Sequence, residues 1–248
     1  MSRPTPVRES PEPTPSPGGS PTAPEVRPVV VFVPGLGLDG RSWRLVRHEL
    51  GVPSVVVLLP SLGQRAPRGT RLSVERQAER LVDRLPTGAA AILVAHSASC
   101  PVVVQAATLT DDVVGLVLVG PVTDPAAHTW PRMVAQWART ARHERPTEAP
   151  VLAPQYRDTG VLSMVRGMDA MRQFRTDVAL SGLTVPVEIV RGGMDRIASA
   201  EWSSVLQGAS NGGGLATVQG AAHMVPLTHP SSVVAAVERL RHGVDQHQ

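Results

Sequence analysis

The chain has 248 residues, 42% hydrophobic and 18% charged, which is enough for one sizeable core and a single domain. All 24 basic residues are arginine, and the formal charge is only +3. With Tyr156 and Cys100 the only alkaline titrants beside arginine, that charge persists to high pH, so the pI of 10.2 is no sign of nucleic-acid binding. A basic run or aromatic–basic interleaving of a nucleic-acid module is missing from the sequence.

One cysteine rules out an intrachain disulfide, and no His, Cys, Asp or Glu cluster has metal-ligand spacing. No apolar run reaches the ~20 residues of a membrane helix, and the N-terminus lacks the apolar stretch of a secretory signal. The expectation is a cytoplasmic protein with a small-molecule substrate, no cofactor, no metal, and neither nucleic acid nor membrane as partner. Oligomeric state is not legible.

Residues 1–27 carry Pro, Ser, Thr, Gly and Glu with almost no large apolar side chain. They cannot offset the entropy of ordering, and a disordered tail is expected there, ahead of a domain over 28–248. Strands are predicted at 28–33 (PVVVFV), 54–59 (SVVVLL), 90–95, 115–119 (GLVLV), 187–191 (VEIVR) and 215–218. Most are continuous and β-branched rather than alternating, the mark of burial on both faces in a parallel sheet.

Helices are predicted between them. Ser73 can cap one carrying Val74, Ala78, Leu81, Val82 and Leu85 on one face. Another covers 98–109, with Pro101 tolerated in its first turn. A short helix at 202–206 and a closing one at 232–241 follow. Such alternation defines an α/β fold with a doubly wound, mostly parallel sheet, in which ligands bind at the carboxyl ends of the strands.

About 65 residues separate the fourth and fifth strands, more than a crossover needs. Trp130, Met133, Val134, Trp137 and Ala141 form one amphipathic stripe. A second runs through Val161, Leu162, Val165, Met168, Met171, Phe174 and Val178. Both can pack on the sheet, the second more readily. Alternatively the insertion, about 122–184, is a helical cap whose Trp130, Met133 and Trp137 line an apolar substrate pocket.

The apolar run ending at Ala95 leads into His96-Ser97-Ala98-Ser99. A strand turning sharply into a helix would leave Ser97 at the tip, and Ala95 and Ser99 are small enough for that crowded turn. By itself, a serine after a buried strand is more often a helix cap. An activated serine also needs a base, a group orienting the base, and oxyanion donors.

His223 follows the sixth strand in a small-residue loop, Gln-Gly-Ala-Ala-His-Met-Val-Pro, and is the candidate base. Asp195 follows the fifth in Arg-Gly-Gly-Met-Asp and is the favoured acid, with Asp124 after the fourth strand as its rival. The backbone N–H groups of Ala98 and Leu36 are the candidate oxyanion donors, with Gly35 and Gly37 letting the first loop curl toward the substrate. His96 is expected to support the elbow with its side chain turned away from Ser97.

Val-Pro-Gly-Leu-Gly…Ser-Trp (33–43), Ala-His-Ser-Ala-Ser (95–99), Val-Pro-Val-Glu-Ile-Val-Arg-Gly-Gly-Met-Asp (185–195) and Gly-Ala-Ala-His-Met-Val-Pro (220–226) occur in this order. Over 28–241 the chain therefore resembles the α/β-hydrolase superfamily, in its small esterase and lactonase-like branch. The resemblance implies Ser97 as nucleophile, Asp195 as acid and His223 as base. Pro34 stands where that branch usually has histidine, Ala95 and Ser99 replace both elbow glycines, and Pro-Ser-Leu-Gly-Gln (60–64) is a weak form of the usual Asp-x-x-Gly-x-Gly loop.

Two kinds of function fit. One is a cofactor-free serine hydrolase acting on a small or medium apolar carboxylic ester, thioester or lactone, with carbon–carbon hydrolysis or lyase chemistry open to the same triad. The other is a non-catalytic ligand-binding protein on the same fold.

Overall fold

The computed structural model describes residues 27–245. The expected tail thus lies outside the described residues, apart from Arg27. Six strands form one wholly parallel sheet: β1 (Val29–Val33), β2 (Ser54–Val56), β5 (Ala91–His96), β6 (Val113–Val119), β7 (Val187–Gly192) and β8 (Leu215–Val218). Their order is β2-β1-β5-β6-β7-β8. Two short strands, β3 (Leu59–Pro60) and β4 (Gly63–Gln64), pair separately in the loop after β2.

Alternate residues of each inner strand enter opposite cores. Val31, Val33, Leu93, Leu116, Leu118 and Ile189 pack with α2 (Val74–Val82), α3 (Cys100–Ala107) and residues of α7 (Thr176–Ser181) and α8 (Ala200–Ala209). Phe32, Ile92, Val94, Val117 and Val190 pack with α1 (Arg44–Leu50), Val225 of the short α9 (Val225–Thr228) and α10 (Pro230–Asp245). Mainly apolar runs follow from this double burial, with buried Glu188 and Arg191 the exceptions in β7. The chain leaves β1 toward β2 and then crosses to β5 on the other side. The strand order therefore reverses between β1 and β5, the place where open α/β sheets bind ligands.

The predicted elements change in detail. The second strand does not run through 54–59: β2 stops at Val56, and Leu59 belongs to β3, because Leu59 and Leu62 bond each other across a tight loop. Ser73 does cap α2, accepting from the Arg76 N–H. The second insertion stripe is two helices, α6 (Val161–Met171) and α7, broken at 172–175. α1 and α5 (Ala149–Thr159) were not foreseen; α5 carries Pro150 and Pro154, which mask a helical pattern.

Between β6 and β7 the insertion supplies α4 (Trp130–Ala141), α5, α6 and α7. The apolar stripe of α4 does not pack on the sheet: Trp137 is 63% exposed and Trp130 36%. The second stripe divides. Met171 joins the core with Met168 and Phe174 against it, Val161 and Val165 line a cavity, and Leu162 and Val178 are exposed.

Candidate active site

β5 ends at His96, and the next residue, Ser97, has φ +57, a left-handed backbone that serine adopts only at a cost of about 1–3 kcal/mol. A short 3₁₀ turn, Ser97–Ser99, then leads into α3, with Pro101 in its first turn. Ser99 is more than small. Its hydroxyl accepts the His96 N–H at 3.0 Å and lies 2.8 Å from the Val33 carbonyl, to which it donates, joining the ends of β5 and β1. Replacing Ser99 with alanine leaves these buried groups without that partner. We expect a loss of about 1–3 kcal/mol, read by thermal or denaturant unfolding.

The loop after β1 lies on this elbow. A Cβ at Gly35 would sit 2.9 Å from His96 Nδ1 and 3.3 Å from Ser97 Cβ, so only glycine admits the approach. Gly37 has φ +75 and gives its N–H to Ser61, while the Leu38 N–H returns to Gly35. Among the described residues the Leu36 N–H has no protein acceptor. Ala98, buried in the first turn after the elbow, has an N–H with no intrahelical partner.

Ser97 donates its hydroxyl proton to His223 Nε2 at 2.8 Å, and His223 Nδ1–H donates to Asp195 Oδ2 at 2.6 Å. Asp195 is wholly buried, and its other oxygen accepts the Ile197 and Ala198 N–H groups at 2.8 and 3.1 Å. Burial pushes this carboxyl up, but His223 and those N–H groups outweigh it, and the net pKa lies below the ordinary value. For His223, burial pulls the pKa down and the Asp195 charge and hydrogen bond, with Glu144 adding, carry it above the ordinary value.

Two features hold the Asp195 and His223 loops together. Arg191, buried at the end of β7, donates to the Ala198 and Asp195 carbonyls. At Gly192 a Cβ would fall on the carbonyl oxygens of Ala221 and Ala222, just before His223. Space, rather than a left-handed turn, explains this glycine. The rival acid, Asp124, does not reach the imidazole; it accepts the Ala126 N–H and caps a 3₁₀ turn.

His96 is buried, and its Nε2–H donates to the His223 carbonyl at 3.1 Å, which turns the ring from Ser97 toward the base loop. Desolvation, with the neighbouring His223, lowers its pKa to about 3, so it stays neutral. Cys100 is buried as well, and burial drives its thiol pKa upward, away from reactivity. The sequence reading missed Glu144, which follows α4 and accepts the His223 N–H at 2.7 Å and the Met224 N–H at 3.2 Å. Nothing in its local sequence, Arg-His-Glu-Arg, marks it; only the tertiary fold brings it 79 residues to the base.

Above Ser97 lies a cavity of about 420 Å³, within the range of small-molecule sites. Trp130, Met133 and Trp137 line it, as do Leu36, Met164 and Met168, and its walls are mainly apolar. Among the described residues no group of His, Cys, Asp and Glu could hold a metal ion, and no helix is long and apolar enough to cross a membrane.

The sequence matches the model of the alpha/beta hydrolase family over residues 30–237, and the chain belongs to that family. Solved structures agree on the fold. A thermophilic esterase is 19% identical with a TM-score of 0.68, covering 87% of this chain and 90% of its own. MenH from S. aureus is 14% identical with a TM-score of 0.68, covering 87% and 94%. Est816, described as an N-acyl homoserine lactone degrading enzyme, is 18% identical with a TM-score of 0.65, covering 85% and 92%. A comparison with curated proteins gives no match.

Proposed function

We propose that the chain is a cofactor-free serine hydrolase that cleaves a small or medium apolar carboxylic ester, thioester or lactone through an acyl-enzyme on Ser97. The observation carrying this reading is the unbroken hydrogen-bonded chain from Ser97 through His223 to Asp195 at the floor of an apolar cavity. The esterase and the lactone-degrading enzyme of similar fold support this range of substrates. The same reading keeps the reaction in the cytoplasm.

In that mechanism Ser97 Oγ bonds to the carbonyl carbon as His223 Nε2 takes its proton. Negative charge gathers on the carbonyl oxygen, held by the Leu36 and Ala98 N–H groups. His223 then passes the proton to the leaving alcohol or thiol as the carbon–heteroatom bond breaks. Water, deprotonated by the same nitrogen, attacks the acyl carbon and returns Ser97. Asp195 stays ionised throughout, fixing the tautomer and stabilising the imidazolium. The insertion acts as a cap, its Trp130, Met133 and Trp137 gripping the apolar part of the substrate.

The test is a fluorophosphonate probe followed by intact mass and peptide mapping, with nitrophenyl esters of graded acyl length alongside. A single adduct on Ser97 is expected. Folded protein that takes no label and turns over no ester would instead be a ligand-binding relative of the hydrolases.

A further inference from the structure

The insertion is fastened to several loops around the cavity. Gln155 accepts the Asp39 N–H, Ser163 accepts the Ala66 N–H, and Thr140 accepts the Arg196 N–H beside the acid. Charged side chains also tie the insertion down: Arg166 donates to the Ala66, Pro67 and Thr70 carbonyls, and Asp158 accepts from Arg41. The contact to the base loop differs, because one carboxylate oxygen of Glu144 takes two consecutive backbone N–H groups, those of His223 and Met224. Charge-assisted bonds of this kind are about twice as strong as neutral ones.

Behind Glu144 lies a second acid. Glu148 is buried; its Oε1 accepts the Arg145 N–H at 3.2 Å, and its Oε2 has no partner among the described donors. A carboxylate oxygen in that state is costly, whereas a protonated carboxyl can donate to Glu144. Burial, then the nearby charge of Glu144, raise the Glu148 pKa to about 7. Other groups facing the pair are Arg145 on the same loop, Tyr156 on α5, and the His223 imidazole with Asp195 beyond it.

We propose that Glu144 is a positioning residue, through which the insertion holds the His223 loop in register with Ser97, and that Glu148 steadies it by donating a carboxyl hydrogen bond. The proposal rests on the serine-hydrolase reading for its effect on rate, but its effect on His223 is independent of any substrate. Glu144 acts in two separable ways. Its oxygen fixes the backbone on which the imidazole rides, and its charge favours the protonated ring.

The experiment compares the full chain with Glu144→Ala, Glu144→Gln and Glu148→Gln. It follows His223 by NMR titration of its ring protons and, in parallel, kcat and KM for an ester. Alanine removes the acceptor. Its kcat should fall about tenfold to a hundredfold, with KM changed less than threefold. Glutamine keeps the acceptor and loses the charge, so it should recover most of the rate while the His223 titration moves to lower pH by about half a unit or more. Glu148→Gln retains a donor toward Glu144 and should disturb the rate less than Glu144→Ala. The glutamine variants are near-isosteric and guard against a fold defect in the alanine protein. An unmoved His223 titration in Glu144→Gln, or an alanine variant with wild-type kcat, would overturn the proposal. A wild type without ester turnover whose His223 titration still responds to Glu144→Gln would sink the hydrolase reading and leave this one standing.

Discussion

Replacing Ser97 with alanine is expected to lower kcat/KM for an activated ester by about 10⁴-fold or more, without unfolding the domain. That is ~5.4 kcal/mol of transition-state stabilisation, far beyond the loss of one hydrogen bond to His223. The fold should survive because alanine fits wherever serine does, and the elbow's backbone is held by Ser99 and by Gly35 rather than by the Ser97 hydroxyl. Circular dichroism and ester kinetics on the same preparation decide the matter. A variant that is folded and still turns over at the wild-type rate removes Ser97 from the mechanism.

The second large effect belongs to Asp195→Asn. Its Oδ1 is committed to the Ile197 and Ala198 N–H groups, so the asparagine carbonyl must occupy that place and its NH₂ must face the imidazole. His223 then carries its proton on Nε2, pointing at Ser97, and cannot accept one. A fall of about 10³–10⁴-fold in kcat is expected. The pH profile adds a sign. In the proposed mechanism His223 acts as a base when neutral, and its pKa is raised in the wild type, so activity is expected to be lost as pH drops through a value above the ordinary 6.5. Removing the Asp195 charge lowers that pKa, and the acidic limb of kcat/KM must shift to lower pH. A limb that stays in place means another group governs it.

The sheet was legible because its inner strands are buried on both faces and their sequences say so; 115–119 and 187–191 were readable without a partner, and the observed strands extend them to Val113–Val119 and Val187–Gly192. The positions of Ser97, Asp195 and His223 were legible because each follows such a strand. Asp195 and Asp124 both occupy strand-end loops, and the Gly-Gly turn and the chain order favoured Asp195; the Ile197 and Ala198 N–H groups that hold its carboxylate were not legible. The insertion was least legible. A helix such as α4 that turns its apolar stripe to a cavity and to solvent has the same periodicity as one that turns it to a core. Glu144 left no trace, because its role is set by backbone groups of a loop distant in sequence.

Ser97 and His223 are separated by 126 residues, and the strand between them in space, β6, and the strand bearing the acid, β7, must both be in place before the two side chains meet. α10, the last described helix, packs against β5, β6 and β7 together. Because closing such long loops is costly until the non-local contacts form, these parts are expected to come together late in folding. Under the proposed mechanism, a nascent or trapped chain would hold its serine unassisted, and acylation of Ser97 is expected only in chains folded through to β8, which labelling during refolding would check.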